Sequence, residues 1–159
     1  MMRKRIIDQD PGKASAAEGK WLDVKDLAQV EVTSEDEAFP IEDAFETYDG
    51  SSGWRASEPG KQTIRVIFDE PQRIHTIHLY FQEEQHARTQ EFLLRWSPDE
   101  GQSLREIVRQ QYNFSPDSST EEQETYTVNL EEVKVVELTI KPDVGGGSAC
   151  ASVLRFCMA

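Results

Sequence analysis

The sequence predicts an all-β protein, an antiparallel β-sandwich of about eight strands. Short apolar runs alternate with polar residues at a period of two, as expected for strands with one buried face. Clusters rich in glycine, proline, serine and aspartate separate these runs, and we find no long helical period and no internal repeat. At 159 residues the chain has the size of one domain. The spacing of the runs favours a sandwich over alternating β–α units.

The N-terminal third contains an arm, one strand and several turns. Residues 1–20 lack a sustained apolar period, which predicts a flexible arm ahead of a single domain at residues 21–159. The first predicted strand covers residues 27–33, where Val30 and Val32 share a face. An acidic loop, a short helical turn and two turn clusters follow, at residues 34–40, 41–45, 49–53 and 58–60.

The rest of the chain is a series of strands. Ile64, Val66 and Phe68 share one face of the next strand, which the turn at residues 69–71 is expected to end. A polar loop is predicted at residues 82–90, because it holds no apolar side chain larger than alanine. The predicted strands are residues 63–68, 73–81, 91–97, 105–112, 124–130, 133–140 and 149–158.

The charge of the chain excludes some partners. Lys and Arg number 17 against 30 Asp and Glu, a formal net charge of −13. A protein that neutralises phosphates needs a basic surface, so we expect no nucleic-acid partner. An acidic surface is repelled by anionic bilayers, and no apolar run approaches the roughly 20 residues of a membrane helix, so we expect no membrane partner.

The cysteines and the N-terminus predict a cytoplasmic location. Cys150 and Cys157 lie seven residues apart in one apolar segment, so in a single strand they would face opposite sides and could not form a disulfide. Free, buried thiols are expected. The basic N-terminus is not followed by the apolar core of a signal peptide. Both observations fit the cytoplasm.

No catalytic signature is present, so the sequence predicts that the protein is not an enzyme. The nucleophile elbow Gly-x-Ser-x-Gly, the phosphate-binding Walker loop and the zinc motif His-Glu-x-x-His are all missing. The glycine run at residues 145–147 lacks the lysine of a phosphate loop and precedes a strand, which is typical of a turn.

The order of several short motifs resembles a known family. The motifs are LAQVEVTS at 27–34, Phe39-Pro40, Asp43-Ala44-Phe45, Asp49-Gly50, Gly53-Trp54-Arg55, EFLLRWSPDEG at 91–101, VVELTIKP at 135–142 and SVLRF at 152–156. Over residues 27–158 this order is similar to that of the discoidin-like (coagulation-factor type C) domain of the galactose-binding-like superfamily.

The resemblance implies an eight-stranded jelly roll with a non-catalytic binding role, commonly for sugars and sometimes for lipids or proteins. It places the binding face on the loops at residues 34–40, 46–58 and 82–90. Many sugar-binding relatives hold a structural calcium through the Asp-Gly loop and a glutamate on the final strand. Val153 stands where that glutamate would fall, so no cofactor is predicted, and a structural calcium stays open as an alternative.

Five residues in these loops are the candidate sugar-binding residues: Phe39, Tyr48, Arg55, His86 and Arg88. Aromatic rings would cover the apolar face of a sugar, and arginine and histidine would hydrogen-bond its hydroxyl groups. Arg55 is equally compatible with pairing to a nearby acid, and His86 and Arg88 with a solvated loop. Trp54 and Trp96 are expected in the core, since tryptophan is highly buried on average.

Two other functions remain open at the level of sequence. An intracellular protein–protein adaptor on the same fold is favoured by the missing signal peptide, the missing disulfide and the lost calcium glutamate. It would be supported by a flat hydrophobic patch without a cleft. The third hypothesis is an accessory domain of an enzyme, cut from a larger chain.

Overall fold

The computed structural model describes residues 21–46 and 52–159, so the predicted arm at residues 1–20 lies outside the described residues. Eight strands, one short α-helix and one 3₁₀ helix make up this part of the chain. The α-helix α1 is Val24–Leu27 and the 3₁₀ helix is Ile41–Phe45. The strands are β1 Ala28–Val32, β2 Trp54–Pro59, β3 Gln62–Gln82, β4 Arg88–Ser97, β5 Arg105–Phe114, β6 Glu121–Lys141, β7 Cys150–Val153 and β8 Arg155–Met158.

All strand pairs are antiparallel. The larger sheet has the order β1-β3-β6-β4-β5, with β8 also paired to β3, and β2 pairs with β7 in a separate ribbon. The ladder between β3 and β6 joins Ile64 to Leu138 in its first part and Leu79 to Glu124 in its second. The predicted all-β antiparallel architecture is confirmed.

The two longest strands, β3 and β6, build both layers of the sandwich. The first stretch of β3 pairs with β1 and with the end of β6, whereas its second stretch pairs with β8 and with the start of β6. Register shifts between Ile67 and Thr76 separate the two stretches. Phe81 in the second stretch stacks on Phe92 of β4, with ring centroids 5.2 Å apart. Strand β4 pairs with the end of β6, beside the first stretch of β3. The second stretch of β3 therefore packs against the layer that contains the first stretch.

The buried faces follow the alternation read from the sequence. Ile64, Val66 and Phe68 are fully buried on one face of β3, as predicted. Trp54 is 1% exposed, which confirms it as a core residue, and its indole Nε1 donates to the Ser34 carbonyl oxygen at 3.1 Å. Trp96 was also expected in the core but is only partly buried: it packs against the core, and the Arg105 guanidinium lies over its ring.

Several strand boundaries differ from the prediction. The turn at residues 69–71 does not end the strand, since β3 continues through exposed residues where the ladder to β6 is interrupted and proline is tolerated. The same holds for β6, which was predicted as two strands. Trp54–Pro59 was predicted as loop and is a strand, because it finds a partner in β7.

The C-terminal segment forms two strands where one was expected. It is divided at Leu154, since β7 pairs with β2 while β8 pairs with β3. Cys150 and Cys157 fall in different strands and are free thiols, as predicted. Burial raises the pKa of the Cys157 thiol to about 11. Among the described residues, no helix has the length and apolar character of a membrane span.

Candidate functional site

A cleft of about 540 Å³ opens at the end of the sandwich where β3 leads into β4. One wall is the connection between β3 and β4, and the other is the segment that leads into β7, with Arg55 of β2 beside it. The cleft is lined by Arg55, Gln82, Glu83, Glu84, Gln85, His86, Ala87, Arg88, Asp143, Gly146, Gly147, Ser148, Ala149, Cys150 and Ser152. Three of the five predicted binding residues, Arg55, His86 and Arg88, thus share one concave surface.

Glu83 organises the β3–β4 connection. Its Oε2 accepts hydrogen bonds from the backbone N–H groups of Gln85, at 3.1 Å, and His86, at 3.4 Å. Its Oε1 accepts from Arg88 Nε at 2.8 Å. Burial raises the pKa of Glu83, but the hydrogen bonds from Arg88 and the backbone outweigh burial, so that the pKa is lowered overall. The carboxylate therefore stays ionised at neutral pH, and its hydrogen bonds fix the conformation of the β3–β4 connection.

Arg88 lies at the floor of the cleft and not in the loop where it was predicted. It is the first residue of β4, and its side chain is only 3% exposed. Besides Glu83, it contacts the Pro142 carbonyl and Gln90 Oε1 through Nη1, at 2.6 and 3.2 Å, and its guanidinium lies over the Phe114 ring. Its Nη2 has no hydrogen-bond partner among the described residues. Arg88 is thus a fixed side chain at the cleft whose Nη2 is not used by the described residues.

Arg55 is an exposed side chain on the strand next to the cleft. Its backbone pairs with Ser152 of β7, which places both residues in the cleft wall. Its guanidinium carbon lies 4.8 Å from the centroid of the Phe39 ring. Within the described part of the chain, Arg55 forms no ion pair, so the alternative of a nearby acid finds no support there.

The predicted aromatic residues do not line the described walls of the cleft. Phe39 is half-buried behind Arg55, and the guanidinium occupies one face of its ring. Tyr48 lies outside the described residues, so its role stays a prediction. His86 is exposed at the rim. The described cleft therefore offers mainly polar groups, and no Phe, Tyr or Trp ring is among the described residues that line it.

The wall formed by residues 143–152 was not predicted as part of the site. Its glycine run was interpreted only as a turn, and Gly146 and Gly147 do adopt positive φ angles of 88° and 97°. The Val144 N–H donates to the Thr89 carbonyl at 2.8 Å, which brings this segment against the start of β4. The glycine run is visible in the sequence as a turn. Only the pairing of β2 with β7 and the contact with β4 show that this segment faces the β3–β4 connection.

The described residues do not fit the calcium site that the resemblance implies. Val153, at the position of the family's glutamate, is 1% exposed and pairs with Trp54, so its side chain faces the core and offers no oxygen ligand. Residues 49 and 50 lie outside the described residues. In the described part of the chain, no cluster of three or more His, Cys, Asp or Glu side chains is arranged to hold a metal.

Comparison with known proteins identifies the fold. No family model matches the chain, and no curated protein matches it. Several solved structures have a fold similar to that of this chain. The family 32 carbohydrate-binding module of NanJ from C. perfringens, solved with galactose, has a TM-score of 0.61 at 14% identity, over 87% of this chain and 96% of that one. The CBM32-3 domain of a family 31 glycoside hydrolase from Clostridium perfringens reaches 0.63 at 16% identity, over 92% and 97%.

A third match is a domain inside an enzyme. A family 29 fucosidase from Ruminococcus gnavus, in complex with fucose, gives a TM-score of 0.62 at 7% identity and covers 90% of this chain but only 26% of that one. Family 32 modules are members of the galactose-binding-like superfamily. The chain therefore shares the fold of these domains, a β-sandwich of the kind that the sequence motifs led us to expect. At these identities the likeness concerns the fold.

Proposed function

We propose that this protein is a non-catalytic carbohydrate-binding module and that a sugar occupies the cleft between residues 82–88 and 143–152. The observation that carries the proposal is the meeting of Arg55, His86 and Arg88 on one concave surface that Ser148 and Ser152 also line. Arg88 is one of these lining residues, and its Nη2 has no hydrogen-bond partner among the described residues. A sugar presents many hydroxyl groups that both donate and accept, and this surface offers donors and acceptors at fixed positions.

The sugars bound by structural neighbours support the proposal. Modules with this fold were solved with galactose, with 4,5-unsaturated mannuronic acid and with GalNAc-β-1,3-galactose. Function does not follow from fold alone, since one fold serves many ligands. The neighbours therefore define the first ligands to test, and the cleft defines where on this chain to look.

Two features of the cleft predict weak binding of single sugars. It is open, and its described walls provide no aromatic ring to cover the apolar face of a pyranose. A small ligand on such a surface buries little area, so we expect a dissociation constant in about the millimolar range for a monosaccharide. If Tyr48 supplies a stacking ring, Tyr48→Ala will weaken binding further.

The other two hypotheses have different standing. Val144 is the only large hydrophobic residue exposed among the described residues, so the flat apolar patch that would favour a protein adaptor is not seen there. The fucosidase match, by contrast, shows this fold as part of an enzyme chain. Attachment to a larger enzyme as its sugar-binding part is compatible with the proposed function and needs no change in the site.

The test is a glycan array with the purified protein, with and without calcium, followed by calorimetry on the strongest glycan. Arg55→Ala removes a charged donor that holds no structural ion pair in the described chain, and we expect about tenfold weaker binding. Arg73→Ala is the matched control, because Arg73 is exposed on β3 and pairs only loosely with Glu131, at 3.6 Å. The Arg73→Ala variant should bind the glycan with wild-type affinity, and calcium should not change the affinity of the wild type.

A folded sample that binds no glycan would overturn the proposal. Affinity lost equally in Arg55→Ala and Arg73→Ala would refute the cleft as the site, because general loss of positive charge would then explain the result. Silence on the array would direct the search to protein ligands.

A further inference from the structure

A second concave surface, of about 420 Å³, lies on the larger sheet. It is on the face that points away from the core, because Arg65 alternates along β3 with the buried Ile64 and Val66. The surface is lined by Glu31, Val32, Thr33, Lys61, Thr63, Arg65, Arg95, Glu137 and Thr139. None of these residues lines the cleft at the end of the sandwich. The two concave surfaces are therefore separate.

The strand register places four charged side chains in one row across this second surface. Glu31 of β1 is opposite Arg65 of β3, and Glu137 of β6 lies between Arg65 and Arg95 of β4. Arg65 donates to Glu137 Oε2 through Nε at 3.0 Å and through Nη2 at 2.7 Å. Arg95 Nη2 donates to Glu137 Oε1. One carboxylate is thus shared by two guanidinium groups, which leaves an excess of positive charge.

The positive groups of this row are accessible, and the central negative group is not. The side chains of Arg65 and Arg95 are 42% and 34% exposed, whereas that of Glu137 is buried. Lys61 is a third exposed cation in the lining and forms no ion pair in the described chain. Among the described lining residues, Glu31 is the one exposed acid. A ligand would therefore meet three cations and one acid, on a chain whose net charge is −13.

A row of hydroxyl groups runs beside the charged row. Thr63 and Thr139 are opposite each other on β3 and β6, and their Oγ1 atoms lie 3.2 Å apart. Thr33, directly after β1, accepts a hydrogen bond from the Thr63 N–H at 3.0 Å through Oγ1 and donates its hydroxyl to Gln62 Oε1 at 2.6 Å. A hydroxyl oxygen carries two lone pairs, so these groups keep acceptor capacity. The surface thus combines guanidinium groups with hydroxyl groups at fixed positions.

We propose that this surface is a second binding site, which takes an acidic saccharide. Arg65, Arg95 and Lys61 would hold a uronate carboxylate, since guanidinium and ammonium groups form charge-assisted hydrogen bonds with carboxylates. The threonine hydroxyls would hydrogen-bond the hydroxyls of the sugar. Val32 is the only apolar residue among the described lining residues, so the apolar contacts typical of a protein partner are scarce. The proposal does not depend on a ligand in the cleft.

The first experiment is calorimetry with trigalacturonate, the linear trisaccharide of galacturonic acid. It should bind at low salt, and its fully methyl-esterified form should not, because the ester keeps the rings and hydroxyls but loses the charges. Raising the NaCl concentration from about 20 mM to about 300 mM should weaken the binding of trigalacturonate by about tenfold, since salt screens exposed charges.

Two exposed substitutions should change this affinity in opposite directions. Lys61→Ala should weaken binding about threefold, and Glu31→Gln should strengthen it about threefold because it removes a repelling charge. Arg73→Ala is the matched control: Arg73 is also an exposed cation, on β3, but it does not line the surface. Its affinity should equal that of the wild type. Partial unfolding cannot explain a substitution that tightens binding.

The ¹⁵N NMR spectrum locates the bound sugar. Trigalacturonate should shift the backbone amide resonances of Thr63 and Thr139, and Arg55→Ala should not abolish these shifts. Shifts confined to cleft residues such as His86 and Ala149 would overturn the proposal. So would the absence of binding, equal binding of the methyl ester, or equal losses in Lys61→Ala and Arg73→Ala.

Two further outcomes separate this proposal from its alternatives. Binding of hexaglutamate without binding of trigalacturonate would replace the saccharide with an acidic peptide and so refute the inference. If trigalacturonate shifts Thr63 and Thr139 while no glycan binds in the cleft, the cleft fails as a sugar site and the second site stands.

Discussion

Individual charged residues in this protein differ widely in what they contribute, and Glu137 shows why. It is 1% exposed on β6 and accepts hydrogen bonds from two arginines on neighbouring strands, Arg65 at 2.7 and 3.0 Å and Arg95. Arg65 also reaches Glu31, at 3.5 Å, but that pair is exposed. Burial raises the pKa of Glu137, while the two arginines lower it by more, so that the pKa is lowered overall.

Replacing Glu137 should therefore be costly. We expect Glu137→Gln to reduce the free energy of unfolding by about 1–3 kcal/mol at pH 7, since two guanidinium groups lose a charged acceptor. A carboxylate with a lowered pKa stabilises the fold above its ordinary pKa, and this contribution is lost as the pH falls through the folded-state pKa. The difference between the variant and the wild type should thus shrink below about pH 4.

Urea denaturation at pH 7 and pH 3.5 provides the measurement. Glu31→Gln is the control, because it removes the exposed partner of the same Arg65, and its effect should be much smaller. Equal effects of the two substitutions would contradict the assignment of the energy to burial.

At the scale of elements, the approach of β2 to the C-terminal strands depends on one glycine. Gly53 precedes β2 with a φ of 71°, and a Cβ atom there would lie 2.5 Å from both the Leu154 Cα and the Val153 carbonyl oxygen. Both contacts are backbone atoms, so the clash cannot be relieved by a change of rotamer. The same approach sets the β2–β7 register that brings Arg55 next to Ser152 in the cleft.

Gly53→Ala should consequently destabilise the fold by more than the cost of a positive φ. The matched control is Gly60→Ala, because Gly60 has a similar φ of 88° but a Cβ atom added there would meet no heavy atom within 4 Å. We expect Gly60→Ala to reduce the free energy of unfolding by about 1–2 kcal/mol, from backbone strain alone. Gly53→Ala should reduce it by at least about 2 kcal/mol more, because of the added steric clash. Thermal and urea unfolding of both variants would measure the difference, and equal losses would show that the close approach relaxes easily.

For the molecule as a whole, one buried carboxyl group should shape the dependence of stability on pH. Glu122 has a raised pKa in the folded state, so its contribution is fully present below its ordinary pKa of 4.5 and is lost as the pH rises through about 7. His78 acts in the opposite direction, since burial lowers its pKa, with a smaller effect from Arg155. A single stability profile therefore mixes two opposing contributions, and a comparison of variants is needed.

We expect Glu122→Gln to have wild-type stability at pH 5 and to be more stable than the wild type by about 1–2 kcal/mol at pH 8, where the wild type carries a buried charge. Urea denaturation from pH 5 to 8 would show this divergence. Glu132→Gln, an exposed carboxyl on the same strand, should run parallel to the wild type over the whole range. A constant gap between Glu122→Gln and the wild type would mean that Glu122 keeps its charge state throughout.

Most of the fold could be predicted from the sequence because the alternation of buried and exposed residues is a local property. Ile64, Val66 and Phe68 show it in β3, and the strand content and antiparallel class follow from such runs. Strand ends were less predictable: residues 69–71 look like a turn, yet β3 continues through them. Trp54–Pro59 has no strong alternation of its own and becomes a strand because β7 lies beside it.

The site divides in the same way. The residue types suited to a sugar, such as Arg55 and His86, are visible in the sequence because their chemistry belongs to the side chain itself. Only the tertiary structure decided that Arg88 is a buried floor residue and that residues 143–152 form the opposite wall. These facts depend on which strands pair and which loops then meet, and contacts between residues distant in sequence leave no local pattern from which they could be read.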